Sequence, residues 1–350
     1  MNGPHRLFHH GVLAAPGAAL LFGGSTPVAK LLLSGMDPWI LAGLLYLGSG
    51  LGLLLYRIIR HVPVDRLDKG KWLWLACAIL SGGVIAPVLL MYGLTSMAAS
   101  EASLLLNTEG VFTAFLAWFA FRENFDRRIA LGMLAIIAGS IILSWQGETR
   151  TTDSWAAFAV LGACLAWGID NNFTRKVSEM DATWIAAIKG LTAGSVNLVL
   201  AFITGASLPP LAGISSALIL GWLAYGVSLS LFVISLRHLG TARTGAYFSV
   251  APFFGALFSI PLLGEPVSFR LLTAGGCMAL GVWLHLSERH IHPHIHVSVE
   301  HEHEHVHEGE HHHGHDPSKP PGEKHSHVHN HAPVMHTHVH YPDVQHRHKH

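Results

Sequence analysis

The segment SEASLLLNTEGVFTAFLAWFAFRE, from Ser100 to Glu123, determines how the rest of the chain is interpreted. It is long enough to cross a bilayer as a helix, which takes about 20 mostly apolar residues, yet it holds two glutamates and ends at a third. A shift of 142 positions places Glu123 on Glu265, and the segment 241–266, TARTGAYFSVAPFFGALFSIPLLGEP, then aligns as a second copy. Features that the copies share should belong to the scaffold, and we expect function where the copies differ.

The composition indicates a membrane protein. Half of the 350 residues are hydrophobic, 13% are charged and the mean hydropathy is +0.39, whereas about a quarter of the residues of a soluble domain are charged. The formal net charge of zero averages an apolar body and a polar tail, so it says nothing about nucleic acid. For a membrane protein of this kind, no nucleic-acid partner is expected. The chain has neither a GxxxxGK[ST] nor a GxSxG motif, so we expect no enzyme activity, no ATP site and no cofactor for transport.

Ten apolar segments follow one another, each near the length of a membrane-spanning helix. Strands of a membrane barrel would be about half as long and would alternate in polarity, so the prediction is an all-α integral membrane protein. The segments cover approximately residues 11–33, 38–59, 72–93, 98–121, 128–146, 154–174, 183–204, 215–236, 242–263 and 270–287.

The positive charges in the short loops predict the orientation. Lys and Arg concentrate on the side that the positive-inside rule assigns to the cytoplasm, namely Arg57, Arg60, Arg66, Lys69, Lys71, Arg122, Arg127, Arg128, Arg175, Lys176, Arg237 and Arg243. The opposite side has little more than Lys30, Arg150 and Arg270. Both termini are therefore expected on the cytoplasmic side. The chain is expected to cross a bacterial inner membrane several times.

The duplication divides the chain into two halves of five helices. A short N-terminus (1–10) precedes the first half (11–146), and the second half (154–287) precedes a tail (288–350). Because five is odd, the second half must lie upside down relative to the first. MDPW at 36–39 and MDATW at 180–184 are a second trace of the duplication. Inverted repeats are typical of transporters, in which two halves rock about a central site.

The ten spans, the halves of five and two paired elements resemble the EamA-type permeases of the drug/metabolite transporter superfamily. The paired elements are FRENFDRRIALGMLAIIAGSIIL and LGEPVSFRLLTAGGCMALGVWL, and the resemblance covers about residues 11–287. It implies ten transmembrane helices as two inverted five-helix repeats and secondary transport of small metabolites, often outward. This chain departs from the family pattern at Glu109-Gly110, where such permeases commonly have proline, and in its tail.

Ionisable residues inside spans are the candidates for a transport site, because each costs about 2.5 to 3.5 kcal/mol at the centre of a helix. Glu101 and Glu109 lie in the fourth span, Asp170 in the sixth and Lys189 in the seventh. A continuous helix would put Glu101, Leu105 and Glu109 on one ridge. With polar neighbours added, the predicted substrate or coupling cavity consists of Glu109, Lys189, Asp170, Asn171, Asn107 and Glu101.

These residues support two interpretations. In the first, Glu109 and Lys189, with Asp170, line a central cavity and either bind a charged solute or carry the coupling proton. In the second, they form static buried ion pairs that fix helix packing, and Glu101 simply reaches water. Glu123 and Glu265 are interpreted as structural, since each stands beside the start of the following span, where a carboxylate favours exposed helix amides.

The tail differs in kind from the body. Residues 290–350 contain 22 histidines, which recur in the pattern H-x-H. Because this segment includes few large apolar residues, a disordered tail is predicted. Residues two apart in an extended chain lie on the same side, and imidazole suits Zn, Ni, Co or Cu. Predicted ligands are His292, His294, His296, His301, His303, His305, His307, His311, His312, His313, His315, His325, His327, His329, His331, His336, His338 and His340. A polyelectrolyte that gains charge on mild acidification is the alternative.

Three functions remain open from the sequence. The leading one is a permease for a small organic solute, with a tail that binds divalent transition metal. The second is a metal permease fed or regulated by the tail, although the spans hold almost no imidazole and Lys189 would repel a cation. The third is a membrane-anchored metal sensor or store. The expected partners are a small-molecule solute, the lipid bilayer and divalent metal ions, and a homodimer is left open.

Overall fold

The structure is a computed structural model with two compact units, 1–287 and 288–350. It describes residues 4–63, 68–121, 127–145, 151–177, 180–232, 234–235, 247–286, 290–296, 299–305, 325–331 and 334–340. The predicted structural residue Glu123 and the predicted ligands His307, His311, His312, His313 and His315 lie outside these ranges.

The first unit is a bundle of helices. Its helices are α1 (Pro4–Leu33), α2 (Pro38–Ile59), α3 (Trp72–Ser96), α4 (Ala99–Leu105), α5 (Thr108–Phe121), α6 (Arg127–Ser144), α7 (Thr151–Thr174), α8 (Ala182–Ile203), α9 (Leu211–Phe232), α10 (Ala251–Leu263) and α11 (Phe269–Leu286). Short 3-10 turns at Lys69–Lys71 and Arg175–Val177 lie before α3 and after α7.

Where the structure describes them, the predicted spans are helical apart from a residue at some span ends and the turns at 106–107 and 249–250. Seven stretches of the described chain are long and apolar enough to cross a membrane, and one of them, Ala99–Phe119, includes both α4 and α5. The helices α10 and α11 provide shorter apolar stretches, and α7 occupies the sixth predicted span. The all-α membrane fold is therefore confirmed.

Helix neighbours repeat in a pattern expected of two inverted halves. The second helices of the halves, α2 and α8, pack together, as do the fifth helices, α6 and α11. The first helix of each half meets the broken fourth span of the other, as α1 with α10 and α7 with α5. It also meets the other half's third helix, as α7 with α3 and α1 with α9. The contacts thus follow a pseudo-two-fold relation between the halves.

The same irregularities occur in both halves. A π-helical turn interrupts α3 at Ile79–Ile85 and α9 at Trp222–Val227. Turns at 106–107 and 249–250 precede α5 and α10, so the fourth span of each half is broken near its middle. Proline follows the break in the second half, at Pro252. In the first half, Asn107 favours the break. Its Nδ2 donates to the Leu104 carbonyl oxygen at 2.9 Å, and such a local bond competes with continuation of the helix.

Glycine allows the fifth helices to approach closely. A Cβ at Gly139 of α6 would lie 2.9 Å from the carbonyl oxygen of Ala274 in α11. A Cβ at Gly281 of α11 would lie 2.6 Å from the carbonyl oxygen of Gly132 in α6. Gly139 and Gly281 each lie sixteen residues after the aligned glutamates Glu123 and Glu265. Both glycines are therefore backbone contacts between the halves, of the kind that small residues permit in membranes.

The two MD motifs begin the paired helices α2 and α8. Asp37 Oδ1 accepts from the Trp39 amide at 2.8 Å, and Asp181 Oδ1 accepts from the Trp184 amide at 3.0 Å. Asp181 also pairs with Arg57 of α2, whose side chain is 6% exposed. Burial raises the pKa of Asp181, but hydrogen bonds from Thr183 and the Trp184 amide, together with the Arg57 charge, outweigh it and lower this pKa below its ordinary 3.8. Asp181 is therefore ionised, and its ion pair with Arg57 joins the second half to the first.

Glu265 caps a helix of the opposite half. Its two carboxylate oxygens accept from the backbone amides of Ala99 at 2.6 Å and Ser100 at 2.9 Å, at the start of α4. The predicted interaction with helix amides is therefore correct, but the predicted partner, the following span, is wrong. The physical reason is the inverted packing, which brings the end of α10 beside the start of α4.

The second unit contains strands, which differs from the disordered tail that the sequence predicts. The strands are β1 (His290–His296), β2 (Val299–His305), β3 (His325–His331) and β4 (Val334–His340). β1 pairs with β4, and β2 pairs with β3, both antiparallel. The alternation of histidine with Ile, Val, Thr or Glu has the period of two that a strand requires, and few large apolar residues are needed to pair backbones.

Replacing Glu265 by Gln should destabilise the bundle. The variant keeps the side-chain size but loses the charge that stabilises two amides of α4, so we expect about 1 to 2 kcal/mol less free energy of unfolding in detergent. Asp68→Asn is the control, since its carboxylate is 79% exposed and its change should stay within about 0.5 kcal/mol. Equal stability of the two variants would contradict the cap.

Candidate functional site

An ion pair between α7 and α8 forms the charged centre of the bundle. Lys189 Nζ lies 2.5 Å from Asp170 Oδ1 and 2.7 Å from Oδ2. Thr174 Oγ1 donates to Asp170 Oδ1 at 2.8 Å and lies 3.3 Å from Lys189 Nζ. The side chains of Asp170 and Lys189 are 8% and 15% exposed. Because each charge has a close partner, this pair can persist in a span without leaving a bare charge.

Glu109 stands beside this pair, in the first turn of α5. Its Oε1 accepts from Asn171 Nδ2 at 2.9 Å, and the same amide group donates to Thr113 Oγ1 at 3.1 Å. Glu109 lies within electrostatic reach of both Asp170 and Lys189. Among the residues that the structure describes, no cation lies within ion-pair distance of Glu109. Its carboxylate accepts from the neutral side-chain amide of Asn171, and the Glu109 residue is partly exposed.

The π-helical turn of α3 shapes the other side of the site. Its Gly82 carbonyl accepts from Tyr46 Oη at 2.6 Å and from Trp167 Nε1 at 3.0 Å. The Gly83 carbonyl accepts from Asn197 Nδ2 at 3.0 Å. A wider helical turn releases carbonyls from the helix ladder, and these side chains satisfy them.

Gly82 also makes room for Asp170. A Cβ at position 82 would lie 1.9 Å from Asp170 Oδ2, so only glycine fits there while the carboxylate is in place. Gly82, Tyr46, Trp167 and Asn197 are not among the site residues predicted from the sequence. The available signals were the Gly82-Gly83 pair inside an apolar span and the solitary amide of Asn197 inside another.

The structure brings four of the six predicted cavity residues together and uses the other two elsewhere. Glu109, Asp170, Asn171 and Lys189 meet as described. Glu101 pairs with Arg270 of α11 instead, and the Asn107 amide bonds locally. The predicted ridge through Glu101, Leu105 and Glu109 is wrong, because the turn at 106–107 ends α4 before α5 begins.

Lys30 has a structural position. Its Nζ donates to the carbonyl oxygens of Leu94 at 2.8 Å and Met97 at 2.6 Å. These carbonyls end α3, where a cation is favourable. Lys30 therefore belongs to the scaffold and contributes no charge to the central site.

No group of three or more His, Cys, Asp or Glu that could hold a metal ion occurs among the side chains that the structure describes. For the tail, only the backbone of the four strands is described. Metal binding by its histidines stays a prediction.

An inverted bundle with broken fourth spans around a polar centre is typical of transporter folds. The sequence profile of the EamA-like transporter family matches residues 9–145 and 154–287. The chain belongs to this family, and its two matched regions are the two halves described above. The resemblance drawn from the sequence is therefore confirmed, and the chain is a multi-pass membrane transporter.

Three curated relatives are similar over most of their length. An uncharacterized transporter of Methanothermobacter thermautotrophicus (strain Delta H) is 30% identical over 288 residues, which cover 76% of this chain and 83% of the relative. The uncharacterized inner membrane transporter YedA of Escherichia coli (strain K12) is 23% identical, covering 71% and 81%. A probable amino-acid metabolite efflux pump of Salmonella typhimurium (strain LT2) is 23% identical, covering 76% and 91%.

A solved crystal structure shares the fold. It has a TM-score of 0.59 and 16% sequence identity, and the match covers 77% of this chain and 94% of the other.

Replacing Gly82 by Ala should disturb the ion pair. The added methyl group must displace the Asp170 carboxylate or open the α3–α7 contact, so we expect a loss of about 1 to 3 kcal/mol in the free energy of unfolding in detergent. Gly276→Ala in α11 is the matched control, because nothing lies within 4 Å of its Cβ position, and alanine is the better helix former by about 0.5 to 1 kcal/mol. If Gly82→Ala and Gly276→Ala change the free energy of unfolding equally, Gly82 is not needed to make room for the Asp170 carboxylate.

Proposed function

We propose that the protein exports a small organic metabolite with a positively charged amine, by alternating access and in exchange for protons. The observation that carries this proposal is the Glu109 carboxylate, which is partly exposed and bonded to the neutral amide of Asn171. It stands beside a fully paired Asp170 and Lys189.

The charge balance favours a cationic group on the solute. With Asp170 and Lys189 neutralising each other, Glu109 gives the ionised cluster a net negative charge. A charge at this depth requires a partner, which is either an ammonium group or a proton. A single carboxylate that accepts one and then the other links solute movement to proton movement, since both cannot occupy it together.

The position of Glu109 suits a site that both sides reach in turn. It lies in the first turn of the half-helix α5, and the equivalent half-helix of the other repeat is α10. Transporters with inverted repeats place their sites where such helices are interrupted. We assign the binding role to Glu109 and Asn171, and we assign Asp170 and Lys189 to holding α7 against α8.

The alternative functions have less support. A metal permease would need several ligands around its ion, and Glu109 has amide and hydroxyl neighbours in Asn171 and Thr113 rather than imidazoles. A sensor or store would not require a paired charge centre in the bundle. The printed name of the Salmonella relative, a probable amino-acid metabolite efflux pump, supports an amine-containing solute and outward transport.

We further propose an inner-membrane location with both termini in the cytoplasm, and a tail that binds divalent transition metal. The excess of Lys and Arg in alternate loops and the name of the Escherichia coli relative support the location. The tail supports metal binding through its 22 histidines between 290 and 350, because imidazole suits Zn, Ni, Co and Cu.

Glu109→Gln should abolish proton-coupled transport. We expect proteoliposomes with an imposed pH gradient to accumulate an amine-containing solute from a panel of amino acids and nucleobases, and the variant to lose at least about 90% of that flux, since a neutral amide cannot exchange a proton for a cation. Asp68→Asn, on an exposed loop, is the control and should transport normally.

The same panel includes divalent metals and a chain that ends at residue 289. Unchanged solute flux and unchanged pH dependence in Glu109→Gln would contradict the assigned role of Glu109. Saturable metal flux through the shortened chain would contradict the choice of an organic solute.

A further inference from the structure

The register of both strand pairs places tail histidines directly opposite one another. In the first pair, the register places His290 opposite His340, His292 opposite His338 and His294 opposite His336. In the second pair, it places His301 opposite His329, His303 opposite His327 and His305 opposite His325. Six cross-strand pairs of identical residues follow from the register alone.

The three opposed histidine pairs of each strand pair form a row on one face of the ribbon, which we call a ladder. Alternate residues of a strand lie on one face, and directly opposed residues share that face with Cβ atoms about 4.5 to 5.5 Å apart. Two adjacent pairs, such as His292 with His338 and His294 with His336, therefore place four imidazole-bearing positions at the corners of one small rectangle. Within a strand, the next histidine is about 6.6 Å along, which is farther than the cross-strand partner.

The two ladders are separate. β1 and β4 form one two-stranded sheet, and β2 and β3 form another. The intervening positions differ as well, since β1 has Ile291, Pro293 and Ile295 where β2 has Glu300, Glu302 and Glu304 in alternate places. Each ladder thus has its own histidine face, and ions on one should be independent of the other.

From this register we infer that each strand pair is a separate site for one divalent transition ion of the zinc type, built from the histidine positions that the two strands place opposite one another. The inference rests on the proposed metal binding by the tail. It makes that proposal more specific, because the binding unit is the cross-strand histidine pair instead of the H-x-H pair along one strand. Zinc takes four ligands with nitrogens about 2.0 to 2.1 Å away, and two adjacent cross-strand pairs supply four.

Metal and strand pairing should depend on each other. A two-stranded ribbon alone is marginally stable in water, and ions that bind only the paired form stabilise it by mass action.

A double-mutant cycle on the full chain in detergent tests the inference with Zn²⁺ as the probe. One variant replaces His290, His292 and His294 by Gln, a second replaces His336, His338 and His340 by Gln, and a third combines them. Bound zinc is measured by equilibrium dialysis at neutral pH. Each single-strand variant should lose the ion of the β1–β4 ladder, and the combined variant should lose no more than either.

The matched control replaces His346, His348 and His350 by Gln, three histidines in H-x-H spacing outside both ladders. It should keep every tight ion. Losses that simply add in the combined variant, or a control that loses as much as the strand variants, would overturn the cross-strand sites while leaving metal binding by the tail intact. A full chain that binds no zinc would overturn both this inference and the proposed role of the tail.

Discussion

A backbone group inside a membrane must find its partner within the protein, and the structure depends on this constraint. Straight helices meet it automatically, but a transporter needs interruptions that line a site. In the first half, side chains bond to backbone groups at the π turn of α3 and at two helix ends. Tyr46, Trp167 and Asn197 satisfy the carbonyls of the π turn in α3, Lys30 satisfies carbonyls at the end of α3, and the Glu265 carboxylate satisfies the first amides of α4.

These partners commonly come from the opposite half of the chain. Glu265 of the second half caps α4 of the first, Asp181 holds Arg57, and Glu101 holds Arg270. The helix caps and ion pairs lie toward the ends of the spans, whereas the broken fourth spans and the paired Asp170 and Lys189 lie between them. Contacts that join two halves at their ends can separate at one end while they close at the other, which is the motion that alternating access requires.

The sequence predicts the scaffold well and the site in part. Span positions follow from hydropathy, and the repeat follows from Glu123 aligning with Glu265, because both depend on local composition. The predicted ridge through Glu101 and Glu109 is wrong because the helix breaks at 106–107, where the sequence has no proline that would have indicated a break. The partners of Glu101 and Glu265 lie 169 and 166 residues away along the chain, and only the inverted packing brings them together. Gly82 was missed because its role exists only once α7 lies against α3.

Paired distance measurements test most directly the proposal that the two halves rock about Glu109. Spin labels at Arg60 and Ala182 report one end of the bundle, and labels at Trp145 and Phe269 report the other; all four positions are exposed. Double electron–electron resonance in lipid should show one distance lengthening while the other shortens when the pH is lowered to protonate Glu109, and no such response in Glu109→Gln. Two distances that stay constant, or that change in the same direction, would contradict the account.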